Sequence, residues 1–292
     1  MVGLALVLVA LTDLFRTLWR PSGVGHVTRP VMRATWRVTR RLARRRSSLD
    51  VAGPLGLALV LLSWALLTVA GFTLVYWPHV PGGVVLSDGL AAAERSNALD
   101  ALYLSLVTEV TLGYGDVVPQ NTWLRVAAPL QAFVGFVILT GAVTWTLQVY
   151  PALGRRRMLA LRLSRLADVG ATARLAAMDD STAVAVLEPV VDDLTRVRVD
   201  VDQYNVSYWF SDADRDASLA VRSSVLLDLA EAATACPGAG TRTLGDSLRR
   251  ESDDLASALQ DHDLVRDVPG APHASSRAVF AAWAADHSGR GA

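Results

Sequence analysis

The six residues Thr111-Leu112-Gly113-Tyr114-Gly115-Asp116 carry the most specific chemistry in this chain. Glycine adopts positive φ at little steric cost. With glycine at alternate positions, 113 and 115, successive backbone carbonyls can turn to the same side. Such a row of oxygens can stand in for the water around a dehydrated cation. As a bare string the hexapeptide also reads as a Gly-rich tight turn, so its meaning rests on the elements that position it. Asn97 to Val110 reads as a short helix leading into it, with Leu99, Leu102, Tyr103, Leu106 and Val110 at helical spacing. That helix is too short to cross a bilayer, which takes about 20 residues. What it can do is aim its C-terminal carbonyl end, the negative end of the helix dipole, at a cation. On either side lie apolar stretches long enough to span, Ala52 to Trp77 and Trp123 to Tyr150.

With these flanks, Thr111 to Asp116 resembles the selectivity-filter signature of the potassium-channel pore family, whose pattern reads T-V/I-G-Y/F-G-D. Pro119, Trp123 and Arg125 follow at spacings similar to the outer mouth of that family. Gly135 lies twenty residues after Gly115, where many members carry a glycine hinge. The resemblance covers Ala52 to Pro151, about a third of the chain. It implies an all-α membrane protein, a pore-loop tetrameric cation channel with a helical cytoplasmic C-terminal domain. The implied pore domain is 51–153, with outer helix 52–77, pore helix 97–110, filter 111–116 and inner helix 123–150. The implied activity is passive potassium conduction, with potassium ions as the only cofactor and four identical chains around the pore. The implied ligands are the main-chain oxygens of Thr111, Leu112, Gly113 and Tyr114 plus the Thr111 hydroxyl, with Gly115 completing the turn. Tyr114 is expected to point away from the pore and wedge the filter.

Three residues depart from the usual pattern or stand out against it. Leu112 replaces the usual Val or Ile, and Val110 stands where Thr is common. A weakly selective cation channel therefore stays open, as does a non-conducting, membrane-anchored interaction protein. Glu109 sits near the C-terminal end of the pore helix, where the dipole disfavours negative charge. If buried, it needs strong hydrogen bonds or a proton. It reads either as a brace for the filter or as a gating control acting through Asp116. Along the inner helix, Leu139, Val143 and Leu147 continue the Gly135 face at four-residue steps, so they are the expected lining of the cavity and inner gate.

Charge is balanced overall, 28 basic against 28 acidic residues, but unevenly spread. All the basic residues are arginine. Residues 1–50 hold ten Arg and two Asp, whereas residues 168–267 hold 20 acidic residues and 9 Arg. The arginines before Ala52 and Arg155-Arg156-Arg157 after the second apolar stretch place both ends in the cytoplasm and the filter outside. The expected location is the cell membrane, multi-pass. One cysteine, Cys236, excludes an intrachain disulfide. No cluster of nucleophile, base or metal ligands supports an enzyme, no glycine-rich fingerprint supports a nucleotide-binding domain, and nothing calls for nucleic acid.

Met1 to Trp19 just reaches spanning length, with Asp13 and Arg16 one turn apart and able to pair. It reads as a short span within segment 1–20, N-terminus outside, or as an interfacial helix. In segment 21–50, Val31 to Arg46 reads as a basic amphipathic helix on the membrane surface, with Arg33 to Arg46 among anionic lipid headgroups. Pro78 to Ser96 reads as a mildly acidic outer loop carrying Asp88, Glu94 and Arg95. Region 154–292 reads as helices over Met158–Met178, Ser181–Val199, Asp212–Ala235, Thr243–Asp261 and Ser275–His287, with Pro189 able to split the second. Pro151 is expected to end the inner helix. Tyr204, Tyr208, Trp209 and Phe210 mark the expected core of this region or a contact onto the membrane domain, and His262 and His273 read as surface residues.

Overall fold

Among the described residues two helices are long and apolar enough to cross a membrane, Ala52–His79 and Leu124–Asp168. Both are seen in a computed structural model that describes residues 1–20, 23, 25–42, 49–87, 97–265, 268 and 274–288. Asp88, Glu94, Arg95, Arg44 to Arg46 and His273 lie outside the described residues. In chain order the main elements are α1 Val2–Leu18, α2 Thr28–Leu42, α3 Ala52–Tyr76, β1 Val84–Leu86, α4 Asn97–Glu109, β2 Val117–Pro119 and α5 Leu124–Asp168. There follow α6 Ala171–Arg174, α7 Asp180–Gln203, α8 Leu219–Arg222, α9 Ser224–Thr234, α10 Ala239–Asp261 and α11 Ser276–His287. The chain divides into two units: residues 1–31 with 57–147, and residues 32–56 with 148–292.

In the first unit, α1 lies against α3 and α5 through small residues. A Cβ on Gly3 would strike the Gly71 carbonyl, and one on Gly71 would strike Val7. A Cβ on Gly141 of α5 would lie 2.7 Å from Leu18. Such close approach is how helices associate where no water drives them together. Asp13 does not pair with Arg16; Arg16 meets His26 instead. The Asp13 carboxylate accepts from the amides of Val27 (2.6 Å) and Thr28 (3.1 Å), from the Thr28 hydroxyl (2.8 Å) and from the Trp64 indole (2.8 Å). It thus caps the N-terminus of α2, where backbone donors lack helical partners, while tying α1 to α3. Below the pore helix α4, Phe72, Tyr76, Val84, Leu104, Val117 and Leu124 form an apolar cluster.

In the second unit three proline- or boundary-based expectations are corrected. The helix does not stop at Pro151: α5 runs unbroken for 45 residues to Asp168. Pro189 does not split α7, which spans 24 residues through it. Proline removes one backbone donor and strains one turn; here the helix-forming Leu, Ala and Arg around it, and burial of the flanking residues, outweigh that cost. The third is the expected helix Asp212–Ala235, whose first part is irregular; only α8 and α9 form. Asp212 is instead buried against the Arg156 and Arg157 guanidinium groups, at 3.4 and 2.6 Å.

The unit is a bundle of α7, α9 and α10. Leu187, Val190, Leu194, Val197, Leu226, Leu248, Leu255 and Leu259 are buried in it. Tyr208, Trp209 and Phe210 are buried as expected for a core, and Tyr208 stacks on Trp283 of α11. Asp180 accepts from the amides of Gly240 (3.1 Å) and Thr241 (2.9 Å) and from the Thr241 hydroxyl, so α7 caps α10. The Thr241 hydroxyl and these amides hold its carboxyl below the usual carboxylate value. A depressed folded value stabilises above the unfolded value near 3.8 and is lost as pH falls through the folded one. Acid unfolding below about pH 4 is therefore expected to become shallower in Asp180→Ala, measured by circular dichroism; an identical acid limb rules out this cap.

A candidate ion-coordinating turn

The pore helix closes in a way that begins the turn. The Thr111 amide bonds to the Thr108 carbonyl (3.0 Å), and the Leu112 amide reaches back to Val107 (2.9 Å). This is the Schellman arrangement, whose residue beyond the cap takes positive φ and is usually glycine. Here it is Thr111, at φ 56°. A β-branched residue in that region is a true outlier, and such strain gathers at functional sites. Gly113 follows at φ 52° and Gly115 at φ 79°. Positive φ thus recurs at every second residue, 111, 113 and 115, which is the alternation needed to bring successive carbonyls to one side. Sequence reasoning anticipated the two glycines and missed Thr111.

The turn is open within one chain. Cβ atoms at Gly113 and Gly115 would meet nothing within 4 Å. Leu112 is 53 % and Tyr114 69 % exposed. Leu139, Val143 and Leu147 of α5 are exposed as well, with Phe133 and Phe136 beside them.

Two separate networks hold the turn from behind. Glu109, only 8 % exposed, accepts from the Thr68 hydroxyl of α3 (2.7 Å) and from the Gln131 amide of α5 (3.0 Å). Gln131 also bonds Ser105 and receives the Tyr76 hydroxyl at 2.8 Å. Asp116 accepts from the Tyr103 hydroxyl (2.6 Å) and from the Val117 amide (3.1 Å). Glu109 and Asp116 thus each hold their own partners, and no hydrogen bond joins the two among the described residues. Thr68 and Gln131 were missed; their signal was a buried-type amide and hydroxyl inside apolar spans, where polar groups must find partners. Beyond Asp116, β2 pairs antiparallel with β1, Val85 opposite Val118, and the Asp116 carbonyl accepts from Ser87 (3.0 Å). β1 falls in the stretch read as loop and β2 was not anticipated, because each strand is three residues long.

Gly135 lies where α5 crosses the end of the pore helix: any Cβ there would strike the Glu109 carbonyl. Close packing accounts for this glycine, and α5 is continuous through it.

Glu109→Ala is expected to lower stability in detergent by about 1–2 kcal/mol, because Thr68 and Gln131 each lose one acceptor and keep only the Trp64, Ala65 and Ser105 oxygens. Glu109→Gln keeps the Thr68 bond but sets two amide donors face to face, so about half that loss is expected. Thermal unfolding in which Ala and Gln both match the parent removes Glu109 as a brace.

A long apolar pair of helices, a short helix between them and a strained, glycine-bearing turn at its end define a pore-loop membrane protein. The sequence comparisons agree. Residues 58–150 match the ion channel family. The chain is 37% identical over 93 residues to Protein LctB of Bacillus caldotenax, covering 30% of this chain and 67% of that one. It is 30% identical over 160 residues to the uncharacterized membrane protein YdjJ of Bacillus subtilis (strain 168), covering 54% and 46%. It is 33% identical over 66 residues to two-pore potassium channel 5 of Arabidopsis thaliana, covering 21% and 16%. The chain thus spans about half of YdjJ and a small part of the plant channel. No solved structure matches. This chain belongs to the pore-loop potassium channel family.

Proposed function

We propose that this protein is a potassium-selective channel in which four copies surround a central pore. The observation that carries the reading is the alternation of positive φ at Thr111, Gly113 and Gly115 directly beyond the pore helix. A single copy supplies one strand of carbonyls, and an ion cage needs several; closed cyclic symmetry provides them. Carbonyls of Thr111, Leu112, Gly113 and Tyr114, with the Thr111 hydroxyl, replace the hydration shell of potassium. Leu139, Val143 and Leu147 line the cavity and inner gate. The exposed apolar face of α5 is consistent with a partner chain there. Conduction is passive, so no residue is catalytic.

In this reading the arginines of α2 and Arg155 to Arg157 lie in the cytoplasm, and the filter faces outside. The second unit is then cytoplasmic. α1, antiparallel to α3 through the Gly3–Gly71 and Asp13–Trp64 contacts, is a third membrane helix with its N-terminus outside.

Reconstituted liposomes test the reading. Potassium flux without sodium flux supports it, equal flux of both makes the pore weakly selective, and no flux leaves a non-conducting membrane protein. A particle containing other than four chains refutes the symmetry.

A further inference from the structure

Within the second unit, α2 and α11 enclose a cleft of about 380 Å³. Its walls include Arg33, Trp36, Arg37 and Arg40 of α2, Trp209, and Asp286 of α11. Two of the arginines are engaged: Arg33 pairs with Asp263, and Arg40 with Asp286. Asp286 is further held by the Trp36 indole (3.0 Å) and the Tyr208 hydroxyl (2.7 Å). Arg37 differs. Its Nε bonds the Arg33 carbonyl at 3.3 Å, and no carboxylate meets it among the described residues. The cleft therefore offers one guanidinium fork beside two tryptophans. Such a fork matches the geometry of phosphate oxygens.

Position narrows the source. The α2 wall, and the segment next to Trp209, rest on the first turn of α3. A Cβ at Gly56 would lie 2.7 Å from the Met32 sulfur of α2, and one at Gly53 would strike the Phe210 ring beside Trp209. If α3 crosses the membrane, as proposed above, this turn lies at the level of lipid phosphates. The geometry points to a phosphate-ester site in this cleft, with Arg37 as the receiving group and an anionic phospholipid headgroup as the natural source. A soluble phosphate ester offers the same chemistry. Occupation would also draw on Arg33 and Arg40, in competition with Asp263 and Asp286, and loss of the Arg40–Asp286 pair would loosen α11 from α2.

The test uses full-length protein in phosphatidylcholine micelles with and without phosphatidylglycerol, and separately glycerol 3-phosphate, with binding read by calorimetry. Arg37→Gln is expected to weaken binding about fivefold, the value of roughly one arginine at a charged lipid surface. Ala282→Trp, which fills the cleft, is expected to weaken it at least as much. Arg174→Gln, on an exposed helix elsewhere, is expected to change nothing. Arg37-dependent binding of phosphatidylglycerol alone assigns the lipid source, and Arg37-dependent binding of glycerol 3-phosphate assigns the soluble one. Binding of neither, or equal losses in Arg37→Gln and Arg174→Gln, overturns the site. Potassium flux from liposomes reads the channel assignment separately, so either can fail alone.

Discussion

Replacing Gly113 by alanine, or Gly115 by aspartate, is expected to abolish potassium flux from liposomes while leaving an assembled, folded protein. Both glycines sit at positive φ, 52° and 79°. A residue with a Cβ costs about 1–2 kcal/mol in that region. Within one chain a Cβ at either position meets nothing within 4 Å, so this conformational cost is the main local penalty. A cost of that size does not unfold a domain. It does favour rotation of the peptide out of the left-handed region, which turns a carbonyl away from its neighbours. An oxygen cage that loses a carbonyl from every chain no longer repays dehydration of the ion. The measurement is potassium flux together with chain count and unfolding temperature. Normal flux in either variant removes the turn as the coordinating element, whereas lost flux with a dispersed or unfolded protein points to a structural fault.

The second large effect falls far from the turn. Asp13→Ala is expected to destabilise the protein in detergent by about 3–5 kcal/mol, in the range for removing one member of a buried charged network. Four donors depend on this carboxylate, and three of them, the Val27 and Thr28 amides and the Trp64 indole, have no other acceptor among the described residues. Each buried donor left unsatisfied costs about 1–3 kcal/mol. Asp13→Asn keeps one acceptor oxygen and is expected to lose roughly half as much. Arg16→Ala should cost far less, since Arg16 meets His26 and not Asp13. Unfolding curves for the three variants decide the point. If Arg16→Ala were as damaging as Asp13→Ala, the capping account of Asp13 would fail and a charge pair within α1 would replace it.

The legible features were those whose physics is local. Hydrophobic length alone marks α3 and the membrane part of α5, because a bilayer crossing demands a continuous apolar run. Gly113 and Gly115 announce positive φ because other residues rarely tolerate it. The helical bounds of α4, α10 and α11 follow from spacing to within a few residues. What the chain alone did not disclose depends on partners distant in sequence. Asp13 looked like a mate for Arg16 one turn away, and only the approach of α2 and Trp64 gave it four donors. Glu109 and Asp116 are seven residues apart, yet Gln131 and Thr68 claim one and Tyr103 the other. Pro151 and Pro189 read as breaks, since a proline's local cost is visible while the packing that outweighs it is not. Thr111 adopts a glycine-like conformation because the Schellman bonds of the pore helix hold it there. Sequence by itself determined the membrane class and the glycine-bearing turn, since bilayer thickness and glycine sterics act residue by residue. Tertiary structure alone decided which buried polar groups brace that turn, because hydrogen-bond partners are chosen in space.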